Sequence, residues 1–214
     1  TGSHWLRMAL ELYFDRPLLS RHFFEHDDTR PLLTHDHDLE CDLEPDGPVI
    51  YLHRGPVDVV FSQLTYEHGV DAIDLPSEAI DATTRHYRRH LERWLLDPPK
   101  ACHKPTTVVY ERLRDRPMEA LRPAIETLRG EFDADRLRAV WDRVTPALVA
   151  QRTEHDQSVI DRADQKERRR ERFRDRFGAR IMSTILEHEA LAKRLDPALL
   201  GHAAPEILPQ GASA

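Results

Sequence analysis

Two short apolar runs stand out from a chain in which apolar positions otherwise recur at helical spacing. Residues 49–52 and 106–110 are mostly apolar or β-branched and are bounded by turn residues, a pattern that predicts buried strands. The first run leads into Gly55 and Pro56, where a turn is expected, and a helix then restarts with Asp58 as its first-turn acid. This strand–turn–helix segment is the most informative part of the sequence.

Apolar residues at helical spacing predict a first helix over residues 5–13 and a long amphipathic helix over residues 77–97. Ser77 is expected to cap the long helix, and the pair Pro98 and Pro99 is expected to stop it. Both helices have one apolar face, so each is expected to cover a core.

The second half of the chain predicts helices over residues 117–130 and 133–144, and a last helix around residues 180–193. Gly130 is expected to end the first of these, and Asp133 to cap the second. Since strands alternate with long helices, the predicted fold class is α/β, with a three-layer parallel sheet flanked by helices.

Composition predicts one domain over residues 1–196, because 214 residues suffice for a three-layer core, and a loosely held tail over 197–214. A net charge of −7 argues against a general nucleic-acid binder. No run approaches the ~18 apolar residues of a membrane span. Cys41 and Cys102 are too few and too far apart for a disulfide framework or a cysteine zinc site, so we expect reduced thiols in a cytoplasmic protein.

Two polar stretches are each consistent with an ordinary surface role and with a functional role. In the loop-rich insert at 16–48, His35 and His37 would share a face of an extended segment, but a metal site needs further ligands at a recognisable spacing. The basic island at 165–180 is either a solvated helix face with interspersed acids or a cationic segment that closes over an anionic ligand.

Arg54 follows the first predicted strand, and Ser62 lies about two turns into the helix after it. In an open α/β sheet, ligands bind outside the carboxyl ends of the strands. A guanidinium and a hydroxyl together at such a place suit a phosphate. The alternative is an arginine that only forms a salt bridge at the end of a strand.

The start of the chain is a second candidate anion site. Gly2 and Ser3 stand at the expected amino terminus of the first helix, where free amides and the helix dipole favour a negative charge, and Ser3 is placed to cap it. A strand is expected before Thr1. The alternative for residues 1–4 is a cloning remnant.

Taken together, these segments resemble the sulfotransferases that use 3′-phosphoadenosine-5′-phosphosulfate (PAPS), in particular a small bacterial-type member. Residues 1–6 (TGSHWL) resemble the second part of that family's loop Pro-Lys-Ser-Gly-Thr-Thr-Trp-Leu. Residues 33–35 (LTH) are similar to its Lys-Thr-His element, and residues 110–111 to its Tyr-Glu pair. Residues 51–62 match Tyr-x-x-Arg-x-Pro-x-Asp-x-x-x-Ser at every fixed position, which is the specific match.

The resemblance implies a P-loop-like nucleotide-binding architecture and sulfuryl transfer from PAPS to a hydroxyl or amine acceptor. His35 would be the general base, and the product would be 3′-phosphoadenosine-5′-phosphate. No metal is implied; the partner would be a small-molecule, carbohydrate or lipid acceptor, and an oligomer is possible. The residues it implies for the cofactor are Thr1, Gly2, Ser3 and His4 (5′-phosphate), Trp5, Tyr110 and Thr145 (adenine), and Arg54, Ser62, Arg174, Arg176 and Gly178 (3′-phosphate).

Two departures from the family pattern bear on turnover. The family's loop Lys would lie before Thr1, and Leu33 occupies the place of a second Lys. The rival enzyme class is a P-loop kinase, which needs a Gly-x-x-x-x-Gly-Lys-Ser/Thr loop and a magnesium-binding Asp that this sequence does not present. The other rival is a nucleotide-binding or scaffold protein of the same fold that has lost turnover.

Overall fold

A computed structural model describes residues 2–28, 30–68, 72–102, 104–153 and 163–200. They divide into two compact units. The first lies within Thr1–His53 and Lys100–Ala163, and the second within Arg54–Pro99 and Asp164–Ala214. Each unit has a hydrophobic core of its own. The prediction of a single domain over 1–196 stays a prediction.

Helices form most of the described chain. No described helix has the length and apolar character needed to cross a bilayer. In chain order the elements are α1 (Gly2–Phe14), β1 (Ile50–His53), α2 (Pro56–His68), a 3₁₀ turn (Ala72–Asp74), α3 (Ser77–Leu95), a 3₁₀ turn (Lys100–Cys102), β2 (Thr106–Val109), α4 (Tyr110–Asp115), α5 (Pro117–Thr127), α6 (Ala134–Arg143), α7 (Pro146–Arg152), α8 (Ala163–Leu186), α9 (Glu189–Ala192) and α10 (Pro197–Leu200).

The predicted α/β fold class, with its three-layer parallel sheet and P-loop-like nucleotide-binding architecture, is wrong, because the described chain is mostly helical. The described residues contain one parallel pair, β1 with β2, and its register joins Ile50 to Thr106 and His53 to Val109. Both strands coincide with the two apolar runs read from the sequence, so the strands themselves are confirmed. The layer prediction failed because two four-residue strands make too small a sheet, and helices bury most of the apolar surface instead.

The core of the first unit is built chiefly by α1 and by α4 to α7. Its fully buried side chains include Met8, Leu10, Leu121, Ile125 and Leu137. The predicted helix at 5–13 is confirmed as α1. The described core is therefore formed by amphipathic helices around the small sheet.

The link between α5 and α6 is held by hydrogen bonds that the sequence predicts in part. Asp133 caps α6, as predicted, by accepting from the amides of Asp135 and Arg136, both at 2.9 Å. The Tyr13 hydroxyl donates to the Glu131 carbonyl at 2.5 Å and accepts from the Asp133 amide at 2.7 Å. The buried end of α1 therefore fixes the start of α6.

Gly130 has a different role from the one predicted. Helix α5 already ends at Thr127, and Arg129 takes the left-handed conformation, with φ of 59°. Gly130 then donates its amide to the Ile125 carbonyl at 2.9 Å. A Cβ at this position would lie 2.6 Å from the Phe14 ring, so a larger residue would force that ring to move.

The second unit packs α2, α3 and α8 around buried aromatic and aliphatic side chains. Phe61 and Phe173 lie 5.4 Å apart at its centre, and Phe177 follows one turn later on α8. The basic island is thus a helix that buries its apolar stripe. The cap prediction for Ser77 is wrong, because Pro76 occupies the N-cap position and no side chain caps α3.

The end of the chain is described in part. Residues Pro197–Leu200 form a last helical turn, and Leu199 is buried. The remainder of the tail that we predicted to be loosely held, residues 201–214, lies outside the described residues. That prediction stays a prediction.

Candidate anion-binding site

Three arginines of the second unit converge on one carboxylate. Asp58, in the first turn of α2, contacts Arg54 through Oδ2 at 2.9 Å and Arg174 through Oδ1 at 3.2 Å. The Nε of Arg170 lies 3.8 Å from the same Oδ1. All four side chains are between 16% and 25% exposed. We call Arg54, Arg170 and Arg174 the arginine cluster.

The helices explain why these side chains meet. Arg170 and Arg174 are four residues apart on α8, so they lie on one face of that helix. Asp58 follows Arg54 by four residues across the Gly55–Pro56 turn, and its short side chain leaves it little freedom. The carboxylate is therefore fixed by the backbone of α2, while the longer arginines reach it from two sides.

The two arginines of α8 in the cluster keep donors that no described residue accepts. Arg170 also contacts Glu167, at 2.6 Å, and this glutamate is half exposed. The Nε–H groups of Arg170 and Arg174 are buried and have no hydrogen-bond acceptor within the described part of the chain. Arg7 and Arg16 also have buried Nε–H groups of this kind, so it is the shared carboxylate that distinguishes the cluster. An oxyanion would supply the acceptors.

A tyrosine holds the backbone of Arg54 in place. The Tyr87 hydroxyl, on α3, donates to the Arg54 carbonyl at 2.8 Å and accepts from the Arg54 amide at 3.4 Å. Tyr87 is 7% exposed, so these bonds are shielded from water. The loop that presents Arg54 is thereby anchored to the long helix of its own unit.

Removing this hydroxyl is expected to destabilise the protein. Tyr87→Phe keeps the buried ring but leaves the Arg54 carbonyl without its donor, which costs about 1 kcal/mol in the free energy of unfolding. Urea denaturation measures this change. Tyr66→Phe is the matched control, because Tyr66 lies in the same unit and is 90% exposed. Equal stability of the two variants would contradict the anchoring role.

Of the other residues predicted for the 3′-phosphate, one lies on the same helix face as Asp58 and one is engaged in other contacts. Ser62 lies on α2, four residues after Asp58 and therefore on the same helix face. Arg176 donates to the Ile73 carbonyl at 3.2 Å and stacks on Phe177, so its guanidinium is engaged elsewhere. At Gly178 an added Cβ would make only ordinary contacts, the nearest with Arg174 at 3.5 Å, so space does not require glycine there.

The first unit contains the residues predicted for the 5′-phosphate and part of the adenine site. Thr1 lies outside the described residues. Gly2, Ser3, His4 and Trp5 form the first turn of α1; Ser3 is the second helical residue, so it is not placed as the N-cap we expected. His4 meets Phe23 edge-on, and Trp5 is half-buried 5.6 Å from the ring of Trp141.

His35 lies in the insert between α1 and β1, exposed, with its ring 4.7 Å from the ring of His37. Partial desolvation lowers the pKa of His35 below its ordinary value, and the positive charges of His37 and Arg7 lower this pKa further, against a smaller opposing effect of Asp36. A lowered pKa keeps the imidazole neutral and able to accept a proton. In the described ranges, no group of three or more His, Cys, Asp or Glu is placed to hold a metal ion.

Two predicted adenine contacts occupy helix starts. Tyr110 is the first residue of α4, directly after β2, and is half-buried. Thr145 caps α7 by accepting from the Leu148 amide at 3.2 Å, so its hydroxyl already has a structural role. Nothing in these contacts assigns either residue to a ligand.

Sequence reasoning missed Arg170, Tyr87 and the second role of Asp58. The spacing of Arg54 and Asp58 was a readable signal for an ion pair, as was that of Arg170 and Arg174 for a shared helix face. The sequence contains no signal for the role of Tyr87, because its hydrogen-bond partner is the backbone of a residue 33 positions away.

Comparisons of the chain with protein-family models, with curated proteins and with solved structures gave no match.

Proposed function

We propose that this chain is a PAPS-dependent sulfotransferase that transfers a sulfuryl group to a hydroxyl or amine acceptor. One observation carries the proposal. The sequence resemblance assigns Arg54 and Arg174 to the 3′-phosphate, and both contact Asp58, although 116 positions separate Arg174 from that residue. Two arginines that share a small half-buried volume suit the doubly charged phosphate that distinguishes PAPS from an ordinary nucleotide.

In this proposal, separate residues bind the two phosphates of PAPS and remove the proton from the acceptor. When bound, PAPS supplies an activated sulfuryl group on a leaving phosphate. Arg54 and Arg174 donate to the 3′-phosphate, with Ser62 on the same face of α2 as Asp58. The amides in the first turn of α1 are free to donate to the 5′-phosphate, and the helix dipole stabilises a negative charge at this end of the helix. His35 accepts the proton that the acceptor hydroxyl loses as its oxygen bonds to sulfur.

The lowered pKa of His35 supports this role, because a general base must be unprotonated at the working pH. The kinase alternative has no comparable support, since the sequence presents neither the phosphate loop nor an aspartate assigned to magnesium. A binding protein without turnover is favoured by one departure, Leu33 in the place of a lysine.

The direct test is transfer of labelled sulfate from PAPS to a panel of phenol, sugar and lipid hydroxyl acceptors. Labelled product with at least one acceptor class is the expected result. Binding of 3′-phosphoadenosine-5′-phosphate without transfer to any of them would favour the binding protein. Failure to bind that nucleotide would overturn the proposal.

Arg54→Ala is expected to weaken binding of 3′-phosphoadenosine-5′-phosphate by about 2 to 3 kcal/mol, because a charge-assisted contact with the phosphate is lost. Binding of adenosine 5′-monophosphate, which has no 3′-phosphate, should not change. Isothermal titration calorimetry measures both. Arg180→Ala is the control, since Arg180 pairs with Asp81 in the same unit and the charge change is identical. Equal losses for the two nucleotides would show that Arg54 does not contact the 3′-phosphate.

A further inference from the structure

Asp58 occupies an unexpected place for an anion-binding site, because a carboxylate should repel a phosphate. It nevertheless lies at the centre of the arginine cluster and contacts all three members through its two oxygens. We infer that Asp58 is a positioning residue, which holds Arg54, Arg170 and Arg174 together before the 3′-phosphate binds. The inference deepens the proposed function and rests on it for the identity of the anion.

The contacts of Asp58 leave donors for a ligand. Arg174 uses Nη2 on Asp58, while its Nε–H is buried and has no acceptor among the described residues. Arg170 places its Nε 3.8 Å from the carboxylate, beyond hydrogen-bond distance. A guanidinium has five N–H donors, so one contact with Asp58 orients the planar group and leaves others to a phosphate.

Without this carboxylate the arginines would separate. Three positive charges that share a half-buried volume repel one another, and arginine side chains have several rotatable bonds. A ligand would then have to gather and order them, which lowers affinity, whereas preorganised side chains avoid that cost. Asp58 is suited to the task because its short side chain is fixed on α2.

Arg170 also contacts this carboxylate and belongs to the same site. It lies one turn before Arg174 on α8, is only 17% exposed, and has its guanidinium carbon 6.0 Å from the centre of the Phe61 ring. We therefore assign it as a third anion-binding arginine, which the sequence resemblance did not single out.

The test is whether Asp58→Asn raises or lowers the affinity for the phosphate ligand. This variant removes a negative charge, so simple electrostatics predicts tighter binding of a phosphate, whereas loss of positioning predicts weaker binding. We expect the affinity for 3′-phosphoadenosine-5′-phosphate to fall about tenfold, because the ligand must then order the arginine side chains itself. The affinity for adenosine 5′-monophosphate should stay unchanged. Calorimetry at constant ionic strength measures both.

Matched variants separate positioning from a general loss of folding. Asp81→Asn makes the same charge change at a residue that also pairs with an arginine of α8, and it should leave both affinities unchanged. Asp58→Glu keeps the charge and should lose less affinity than Asp58→Asn. Arg170→Gln should weaken binding of the bisphosphate, whereas Arg172→Gln, at an exposed position of the same helix, should not. Melting temperatures of all variants show whether each is folded.

The outcomes distinguish this inference from the proposed function. Unchanged or tighter binding by Asp58→Asn overturns the positioning role, as does an equal loss in Asp58→Glu. If the wild-type protein does not bind the bisphosphate, the proposed function fails, and inorganic pyrophosphate becomes the probe. Pyrophosphate binding that Asp58→Asn weakens would still support a positioned anion site. Binding of neither anion by the wild-type protein overturns both.

Discussion

Replacing His35 with alanine is expected to lower the turnover number about 10²- to 10⁴-fold, the usual contribution of a general base. The affinity for 3′-phosphoadenosine-5′-phosphate should be preserved, because His35 would contact the acceptor and not the nucleotide. Steady-state transfer of labelled sulfate and calorimetry measure the two quantities. A normal rate in this variant would remove His35 as the base.

The pH dependence of the reaction provides an independent check on the same residue. Because the pKa of His35 is lowered, its neutral form persists to lower pH, and the rate should fall only below the ordinary value of 6.5. His37→Gln removes one of the positive charges that lower this pKa, so the acidic limb should move to higher pH. The limb should not move in His22→Gln, since His22 contacts His26 rather than His35. An identical shift in both variants would contradict the assignment.

Glu11→Ala is expected to lower the free energy of unfolding by about 3 to 5 kcal/mol. The Glu11 side chain is 1% exposed, and its carboxylate accepts hydrogen bonds from the amides of Phe23 and Phe24 at 2.8 to 3.1 Å. It also contacts the His26 Nε2 at 3.0 Å. Truncation leaves these half-buried groups without the Glu11 acceptor, and each unsatisfied group costs about 1 to 3 kcal/mol where water cannot replace the bond. The segment after α1 should therefore detach from the helix.

Urea denaturation measures the global loss, and hydrogen exchange at the Phe23 and Phe24 amides measures the local one. Glu119→Ala is the control, because Glu119 is 68% exposed and only forms an ion pair with Arg116 on the surface. That variant should change stability little. Slow exchange of both amides in Glu11→Ala would show that Glu11 does not anchor the segment.

Arg54 is a residue whose local sequence pattern predicted part of its contacts. The sequence offered two hypotheses for it, a phosphate ligand and a salt bridge at the end of a strand. The structure contains the salt bridge, to Asp58, and adds Arg174 and Arg170 at the same carboxylate. The two hypotheses are therefore compatible, since an ion pair orients the guanidinium that a phosphate would contact.

Other residues differ in whether their roles can be predicted from the neighbouring sequence. The capping role of Asp133 was predictable from the sequence, because its side-chain oxygen accepts hydrogen bonds from amides only two and three positions later. Glu11 was not readable, because it stands on a regular amphipathic helix and its partners are backbone amides at least 12 positions away. Ser77 failed as a cap for a simpler reason: α3 begins at Ser77 itself, with Pro76 at the N-cap.

The sequence by itself determined the strands, α1 to α3, the cap of α6 and the motif at 51–62, because spacing and turn chemistry act within a few residues. Only the tertiary structure decided that the sheet has two described strands, that helices build both cores, and that Arg54, Arg170 and Arg174 meet at Asp58. The reason is physical. Local periodicity specifies which face of an element is buried, whereas the partner of that face is chosen by packing between distant segments, as with Arg174 and Asp58, which are 116 residues apart.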